Sequence, residues 1–233
     1  MEKINILITA GGSGLRMGSD IPKQFMLLKE RPMLFRTVEF FASLPVTTEI
    51  HVVLPPLYVD FWNELVLQHN MQVPCSVTVG GLTRFHSVKN ALEQVVSGSI
   101  TAIHDGVRPL VSQDLVLRCF ELAQKHPAVV PVREVSESVR RIEGVGSICV
   151  DRSQYRLVQT PQVFWTETIK KAYKQSYLPT FTDDASVVER LGTPLFLTKG
   201  DARNIKITTP EDLEMAELLL YPAAQQSEGK FSA

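Results

Sequence analysis

Glycines and cations follow the first apolar segment of the chain, in an order expected of a loop that binds a polyanion. Residues 10–18 are AGGSGLRMG, and residues 22–24 are PKQ. Glycines let backbone N–H groups approach an anion closely, and Arg16 and Lys23 would add two permanent positive charges. The segment matches neither the phosphate loop GxxxxGK[ST] nor the dinucleotide pattern GxGxxG. It predicts a phosphate-binding loop, and a simple strand-to-helix turn is the less favoured alternative.

Two further segments contain residue types suited to nucleotide chemistry. Residues 80–92 are GGLTRFHSVKNAL, where two glycines would permit close approach of a flat base and Ser87 could offer it a hydroxyl. Residues 104–109 are HDGVRP. Mg²⁺ in proteins binds one or two carboxylates together with phosphate oxygens, so Asp105 could hold the metal of a nucleoside triphosphate. The alternatives are a left-handed turn that starts a helix and a structural pair of Asp105 with Arg108. His104 is expected to be a satisfied loop histidine without a role.

Three later segments place charged or hydroxyl side chains near the ends of predicted elements. They are DR at 151–152 followed by QTPQ at 159–162, TDD at 182–184, and NIKITTPEDL at 204–213. Arg152, Thr160 and Lys206 would suit a second phosphate group. Asp183 and Asp184 could form a metal pair, although a solvated acidic turn is the favoured interpretation.

Strand and helix patterns alternate along the first half of the chain. Apolar strands are predicted at 4–9, 49–56 and 75–81, a strand and loop at 100–109, and helical spacing at 33–44, 57–70 and 84–97. This alternation indicates an α/β fold with a mostly parallel sheet and helices on both faces. Ligands of such sheets bind beyond the carboxyl ends of the strands, so the segments that follow the strands should meet at one site.

The regular alternation is interrupted at 132–158, where polar and apolar residues alternate around the sequence EGVG. That pattern predicts a protruding β-hairpin arm, which could embrace a second subunit. Helices are then expected at 165–177, up to Leu191, and at 210–220, with a strand at 194–200. The last helix would have Thr209 as its N-cap and Pro210 as its first residue. A single domain over 1–222 and a disordered tail over 223–233 are expected.

Composition excludes several function classes. The chain has 24 Lys and Arg against 25 Asp and Glu, a net charge of −1, so no overall field would recruit nucleic acid or an anionic membrane. Cys75, Cys119 and Cys149 lie far apart without metal-binding or disulfide spacing. Apolar runs are too short for a membrane span or a signal peptide core, and a cytoplasmic location is expected.

Taken in order, these segments resemble one family. They are TAGGSGLRM with PKQF, GGxxRxxSVxNAL, HDxxRP, DR with QTPQxF, TDDxxxxExxG, and NIKIT with PEDL. From about Ile4 to Leu220 the ordered set is similar to the 2-C-methyl-D-erythritol 4-phosphate cytidylyltransferases of non-mevalonate isoprenoid synthesis. The resemblance implies a glycosyltransferase-A-like nucleotidyltransferase fold, CTP, Mg²⁺, and a homodimer built on the arm.

The resemblance also implies roles for residues at matching positions. Arg16 and Lys23 would stabilise charge at the α-phosphate of CTP, and Asp105 would bind Mg²⁺. The nucleotide would contact Ala10, Gly11, Gly12, Gly14, Gly80, Gly81, Ser87 and Gly106, of which Gly80, Gly81 and Ser87 would face the cytosine and Gly106 the ribose.

For the acceptor, Arg152 and Lys206 would act as further catalytic cations that position the methylerythritol phosphate. The implied substrate-binding set contains Asp105, Arg108, Ser138, Thr160 and Thr182. Of these, Thr182 would reach the neighbouring subunit's site, and Ser138 would replace a threonine that the family usually has in the arm.

Departures from the family pattern leave other interpretations open. The acidic residue often found after the double glycine is Leu82 here, and the arm carries an apparent short insertion before Arg140. Ribitol 5-phosphate cytidylyltransferases have a similar first loop. Sugar-1-phosphate nucleotidyltransferases are a more distant alternative, and a catalytically inactive nucleotide-binding regulator is the alternative from another class.

Overall fold

The structure is a computed structural model that describes residues 3–12, 21–95 and 100–220. The predicted roles of Gly14 and Arg16, and the predicted disordered tail at 223–233, lie outside these residues. None of the helices in the described part of the chain has the length and apolar character that a membrane crossing requires.

From β4 to α4, residues 48–123, the strands alternate with α-helices. The strands are β1 (Ile4–Thr9), β2 (Leu27–Leu28), β3 (Arg31–Pro32), β4 (Thr48–Leu54), β5 (Ser76–Val79), β6 (Ile100–Asp105), β7 (Ala128–Glu134), β8 (Val139–Glu143), β9 (Gly146–Val150), β10 (Arg156–Val158), β11 (Gln162–Trp165) and β12 (Phe196–Lys199). The helices are α1 (Met33–Ala42), α2 (Val59–Gln68), α3 (Arg84–Gln94), α4 (Gln113–Ala123), α5 (Thr166–Ala172), α6 (Asp184–Glu189) and α7 (Pro210–Leu220).

One eight-stranded sheet forms the centre of the fold. Its strand order is β10-β7-β11-β6-β1-β4-β5, and β12 also pairs with β7. The neighbours β6-β1-β4-β5 are parallel, as is the pair of β12 with β7, whereas β11 runs antiparallel to both β6 and β7. The predicted mostly parallel sheet is therefore confirmed, with the antiparallel pairs confined to its second half.

Helices cover both faces of this sheet because successive residues of a buried strand point to opposite sides. Ile6 and Ile8 of β1 pack in one apolar cluster with residues of α1, α2 and α4. Leu7, between them, packs in a second cluster with residues of α3, α5 and α6. All three strand residues are fully buried, so β1 supplies the middle of both cores.

Proline and capping signals set several element ends. Strand β4 ends at Leu54, directly before Pro55 and Pro56, as predicted. Helix α7 begins at Pro210, and the Thr209 hydroxyl accepts a hydrogen bond from the Asp212 N–H at 3.3 Å, so the predicted cap is confirmed. The other predicted helices are shorter than expected; the segment predicted at 165–177 is helical only over α5.

The segment predicted as an arm contains two separate ladders. At its base Val132 pairs with Val158 in the antiparallel pair of β7 and β10, which belongs to the central sheet. At its tip β8 pairs with β9 around the loop Gly144-Val145, where Gly144 has φ of +57°, a conformation that favours glycine. The hairpin beyond the sheet is thus smaller than 132–158, because both ends of that range are sheet strands.

Candidate active site

The register of the parallel strands brings the predicted loops together. Thr9 at the end of β1 lies opposite Asp105 at the end of β6, and the Gly106 N–H donates to the Thr9 carbonyl at 2.9 Å. On the other side the Gly80 N–H donates to the carbonyl of Leu54, the last residue of β4, at 2.7 Å. The three strand ends thus border a single cleft, as expected for an open α/β sheet.

This nucleotide cleft, as we call it, has a volume of about 370 Å³. Its lining combines the glycine-rich segment, the start of α3 and two charged residues from elsewhere in the chain. The lining residues are Thr9, Ala10, Gly11, Gly12, Lys23, Gln24, Val53, Pro55, Gly81, Leu82, Thr83, Arg84, Ser87, Asp105, Val107 and Lys206.

Ala10 to Gly12 and Lys23 form the first wall of the cleft. The Gln24 side-chain amide donates to the Ala10 carbonyl at 2.8 Å, which ties the short helix at Lys23–Phe25 to the end of β1. A Cβ atom added to Gly12 would lie 3.3 Å from Cε of Lys23, so the lysine side chain passes directly over this glycine. The predicted proximity of the glycines and Lys23 is therefore present.

The second wall is the turn that leads into α3. The Ser87 hydroxyl accepts from the Gly81 N–H at 3.1 Å and donates to the Thr83 carbonyl at 3.0 Å. A Cβ on Gly81 would lie 2.5 Å from Cβ of His86, and neither Gly80 nor Gly81 has a positive φ. The left-handed turn that was the alternative prediction for this segment is therefore wrong. Glycine is needed at these positions because neighbouring atoms leave no room for a Cβ.

Two of the predicted nucleotide contacts lie behind the cleft surface. A Cβ on Gly80 would lie 2.8 Å from the Ser87 Oγ, and one on Gly106 would lie 2.8 Å from Leu34 Cδ1 and 3.2 Å from the Thr9 carbonyl oxygen. Both glycines therefore allow neighbouring cleft residues to pack. Leu82, at the position where the family often has an acidic residue, is 97% exposed at the rim.

Asp105 lies at the centre of the charged part of the site. Its Oδ2 accepts from Lys206 Nζ at 3.0 Å and Arg108 Nε at 3.3 Å, and Arg84 Nη2 lies 3.8 Å from Oδ1. Burial of Asp105 opposes its ionisation, but the charges of Arg84, Lys206 and Arg108 outweigh that effect and hold its pKa well below the ordinary value. The ion pair of Asp105 with Arg108, which the sequence analysis gave as an alternative to a metal site, is present.

A second cavity of about 260 Å³, the acceptor cavity, adjoins the nucleotide cleft. Arg84, Asp105 and Lys206 line both spaces, so these residues form the junction between them. The other lining residues are Arg108, Val158, Gln159, Thr160, Gln162, Thr182 and Asp183. Three predicted substrate-binding residues, Arg108, Thr160 and Thr182, thus meet Lys206 within one chain.

Arg152 and Ser138 lie outside both spaces. Arg152 is exposed on the arm, where its guanidinium donates to the Ser136 carbonyl, and Ser138 is exposed just before β8. Thr182 lines the acceptor cavity of its own chain, and its contact with a neighbouring subunit's site stays a prediction.

Sequence reasoning missed a buried ion pair between Arg84 and Asp184. Arg84 donates to both carboxylate oxygens of Asp184, at 2.8 and 2.6 Å, and the Tyr173 hydroxyl donates to Asp184 Oδ1 at 2.6 Å. Asp184 is fully buried, so the expectation of a solvated acidic turn is wrong for this residue. The available signal was an acidic residue at the start of a helix with the apolar residues Ala185 and Val187 on its buried side.

Asp183 and Asp184 also do not form a metal pair. Asp183 caps α6 by accepting from the Ser186 N–H at 2.9 Å and accepts from the Gln162 amide at 2.8 Å. Each carboxylate is thus already occupied by protein donors. Within the described ranges no cluster of three or more His, Cys, Asp or Glu side chains could hold a metal ion.

Comparison with known proteins agrees with this geometry. The sequence profile of the family described as 2-C-methyl-D-erythritol 4-phosphate cytidylyltransferase matches residues 4–221. A protein of that name from Bacteroides thetaiotaomicron is 49% identical over 218 residues, which is 94% of this chain and all of the relative. The Bacteroides fragilis protein is 50% identical over 214 residues, or 92% of this chain and 98% of the relative.

Solved structures of the same family share the fold. The crystal structure of the Francisella tularensis enzyme has a TM-score of 0.78 at 30% identity and covers 92% of this chain and 98% of its own. The Thermus thermophilus structure has a TM-score of 0.72 at 32% identity and covers 92% and 97%. With a matching profile over nearly the whole chain, this fold and this site, the protein belongs to the 2-C-methyl-D-erythritol 4-phosphate cytidylyltransferase family of nucleotidyltransferases.

Proposed function

We propose that this chain transfers the cytidylyl group of CTP to 2-C-methyl-D-erythritol 4-phosphate in the non-mevalonate route to isoprenoids. The products are 4-diphosphocytidyl-2-C-methyl-D-erythritol and pyrophosphate. The observation that carries the proposal is the junction of two cavities at Arg84, Asp105 and Lys206. A transferase that joins two anionic substrates needs such an arrangement, because both reacting groups must approach one set of positive charges.

The reaction is an in-line displacement at the α-phosphorus of CTP. A phosphate oxygen of the acceptor forms the new P–O bond, and the bond from the α-phosphorus to the bridging oxygen breaks as pyrophosphate leaves. A phosphate monoester is already an anion at neutral pH, so the attacking oxygen needs no general base. The protein contributes position and positive charge, which Lys23 supplies from the nucleotide wall and Lys206 from the junction. Arg16, expected to act with Lys23, lies outside the described residues.

Cytosine selection is assigned to the wall at Gly81 and Ser87. Close packing of Gly81 on His86 keeps the backbone at the cleft surface free of side-chain bulk. The backbone groups here can read a flat base at short range, and Ser87 holds the turn in place through Gly81 and Thr83.

Asp105 fits the requirements of a single-carboxylate Mg²⁺ site. It is ionised and it lines both cavities, and Arg84 Nη2 lies 3.8 Å from its Oδ1, beyond hydrogen-bonding distance. Mg²⁺ commonly binds one or two carboxylates and completes its shell with phosphate oxygens and water. When bound, the ion would neutralise part of the triphosphate charge. Asp105 would hold it, while Lys206 and Arg108 remain on Oδ2.

We further infer a homodimer formed through the arm. Ile142, Val145 and Ile148 at its tip and Leu157 at its base are exposed apolar residues. A second copy that covered them would remove this apolar surface from water. Since Ser138 and Arg152 lie outside their own chain's cavities, they would contact an acceptor only in the site of the partner subunit. The cytoplasmic location expected from the sequence stays a prediction.

A pyrophosphate-release assay tests the activity. CTP with 2-C-methyl-D-erythritol 4-phosphate and Mg²⁺ is expected to give product, with UTP and ATP as nucleotide controls and ribitol 5-phosphate as the acceptor control. Preference for ribitol 5-phosphate would refute the proposed acceptor. Inactivity with every pair, together with tight CTP binding, would identify a binding protein instead of an enzyme.

Subunit complementation tests the role of the arm. Arg152→Ala and Lys206→Ala are each expected to inactivate the homodimer. In a heterodimer of the two variants, one site would combine an intact Lys206 with an intact Arg152 from the other chain. An equal mixture after subunit exchange should therefore recover about one quarter of wild-type activity, from symmetry and random pairing. No recovery in a mixture shown to contain heterodimers would refute action across the interface.

A further inference from the structure

His104 directly precedes Asp105 in the chain. The sequence suggested a satisfied loop histidine, but His104 lies in β6 and is fully buried. Its ring packs edge-on against Phe41, with 4.9 Å between ring centroids. Its two ring nitrogens face two different segments of the acceptor side: Nδ1 lies 3.1 Å from the Thr160 Oγ1, and Nε2 lies 3.1 Å from the Arg108 carbonyl oxygen.

The partners determine which nitrogen carries the proton. A backbone carbonyl can only accept, so Nε2 must donate to Arg108. The ring is fully buried, which favours its neutral form, so Nδ1 is an acceptor. The Thr160 hydroxyl must then donate to Nδ1, and its oxygen accepts from the Asp105 N–H at 3.1 Å. The tautomer is assigned here from this hydrogen-bond logic.

The same two segments converge on Asn204, two residues before Lys206. The Asn204 side-chain amide donates to the Thr160 carbonyl at 2.8 Å, and Arg108 Nη1 donates to the Asn204 carbonyl at 2.8 Å. His104 therefore links Thr160 to Arg108, and both of them bind the segment that carries Lys206. The network also includes the backbone N–H of Asp105, and the carboxylate of Asp105 forms the salt bridge with Lys206.

We propose that His104 is a positioning residue for cytidylyl transfer, which sets the relative placement of Asp105 and Lys206 through Thr160 and Arg108. The proposal rests on the function proposed above. His104 does not line either cavity, so it would act through its neighbours and would not touch the substrates. Loss of His104 should therefore affect the chemical step. Small displacements of reacting groups lower the rate of that step far more than they lower substrate affinity.

The structure offers a matched control in His51. It is 2% exposed in β4 of the same sheet, and its Nδ1 also lies close to a hydroxyl, that of Ser76, at 2.7 Å. His51 lines neither the nucleotide cleft nor the acceptor cavity. His51→Phe and His104→Phe therefore remove the same ring nitrogens from equally buried places in one sheet, and only the second change affects the proposed network.

The test measures kcat and KM for both substrates of the wild-type enzyme and the variants, with folded protein quantified by CTP binding. We expect His104→Phe to lower kcat by about tenfold to 100-fold with KM for CTP within about threefold of wild type. His104→Asn keeps an acceptor for the Thr160 hydroxyl and loses the donor to the Arg108 carbonyl. Its kcat should therefore lie between those of the wild-type enzyme and His104→Phe. His51→Phe should leave kcat within about threefold, whatever it does to thermal stability.

A folded His104→Phe enzyme with wild-type kcat would overturn the proposal, and so would an equal loss of kcat in His51→Phe. If His104→Phe does not fold, His104→Asn decides: a reduced kcat supports the proposal, and a wild-type kcat overturns it. A wild-type chain without activity on CTP and the acceptor would instead contradict the proposed function. The two failures are therefore distinguishable.

Discussion

The ion pair of Arg84 and Asp184 should be a major source of stability on the acceptor side of the fold. Asp184→Asn is the most informative change, because it keeps the size of the side chain and an acceptor for the Tyr173 hydroxyl. It removes the negative charge and turns an NH₂ group towards one of the Arg84 donors. The bidentate pair, with bonds of 2.8 and 2.6 Å, is replaced by a single hydrogen bond from the charged guanidinium to a neutral amide oxygen.

The expected cost follows from the burial of the two partners. Breaking a fully buried pair by removing one charge costs about 3–5 kcal/mol. Asp184 has no exposed surface, but 32% of the Arg84 side chain reaches solvent, which can partly compensate the charge left behind. We therefore expect the lower end, about 3 kcal/mol, which corresponds to a fall in Tm of about 6–12 °C for a domain of this size.

Urea unfolding at neutral pH would measure this loss, with an unchanged m-value as the sign that both states remain comparable. Asp183→Asn is the matched control, since asparagine keeps the helix cap and loses only the acceptor of the Gln162 amide, and its cost should be about 1 kcal/mol. If Asp184→Asn costs no more than Asp183→Asn, the assignment of the pair as a major stabilising contact is refuted.

Three further predictions concern the cleft and its titration. Lys23→Ala should lower kcat by about 100-fold or more while the circular dichroism spectrum stays native, and normal pyrophosphate release would exclude its catalytic role. Gly81→Ala should raise KM for CTP by about tenfold, because the new Cβ would lie 2.5 Å from that of His86, whereas Gly146→Ala in the arm meets only a backbone oxygen at 3.7 Å and should leave it unchanged. The pKa of His104 falls from 6.5 to about 4 on folding, so between these values the unfolded chain binds more protons and the free energy of unfolding decreases as pH falls, by about 2 kcal/mol at pH 5. That part of the pH dependence should be missing in His104→Asn, and equal shifts of the urea midpoint for both proteins between pH 7.5 and pH 5 would contradict the assignment.

The parts of this site that were predictable depend on local patterns. The apolar run at 4–9 followed by glycines predicts a buried strand and a loop at its carboxyl end, and parallel pairing then brings Thr9 opposite Asp105. The arm was recognisable because its two halves alternate around a glycine turn. Its exact extent was not, because alternation is equally compatible with strands β7 and β10 of the central sheet.

The parts that were not predictable depend on distant pairing. Arg84 and Asp184 are 100 positions apart, and each alone has the properties of an exposed charged residue at a helix start. His104 was expected to be a satisfied loop histidine within the predicted strand and loop at 100–109, whereas β6 continues through Asp105. Its importance follows from the positions of Thr160 and Arg108 around it, which only the folded chain specifies.

The junction shared by the two cavities has a consequence for how the substrates influence each other electrostatically. Among the charged residues that line the two cavities, together with buried Asp184, there are four positive and three negative charges, a difference of one. They are Lys23, Arg84, Arg108 and Lys206 against Asp105, Asp183 and Asp184. Two polyanions bring far more negative charge than this surplus can balance. Under the proposed function, the first anion to bind would therefore reduce the potential that attracts the second, and the two affinities would oppose each other unless a cation accompanies one of them. A nucleotide that arrives as its magnesium complex would weaken this antagonism, and the ionic composition of the solution thus becomes part of how the two sites are coupled.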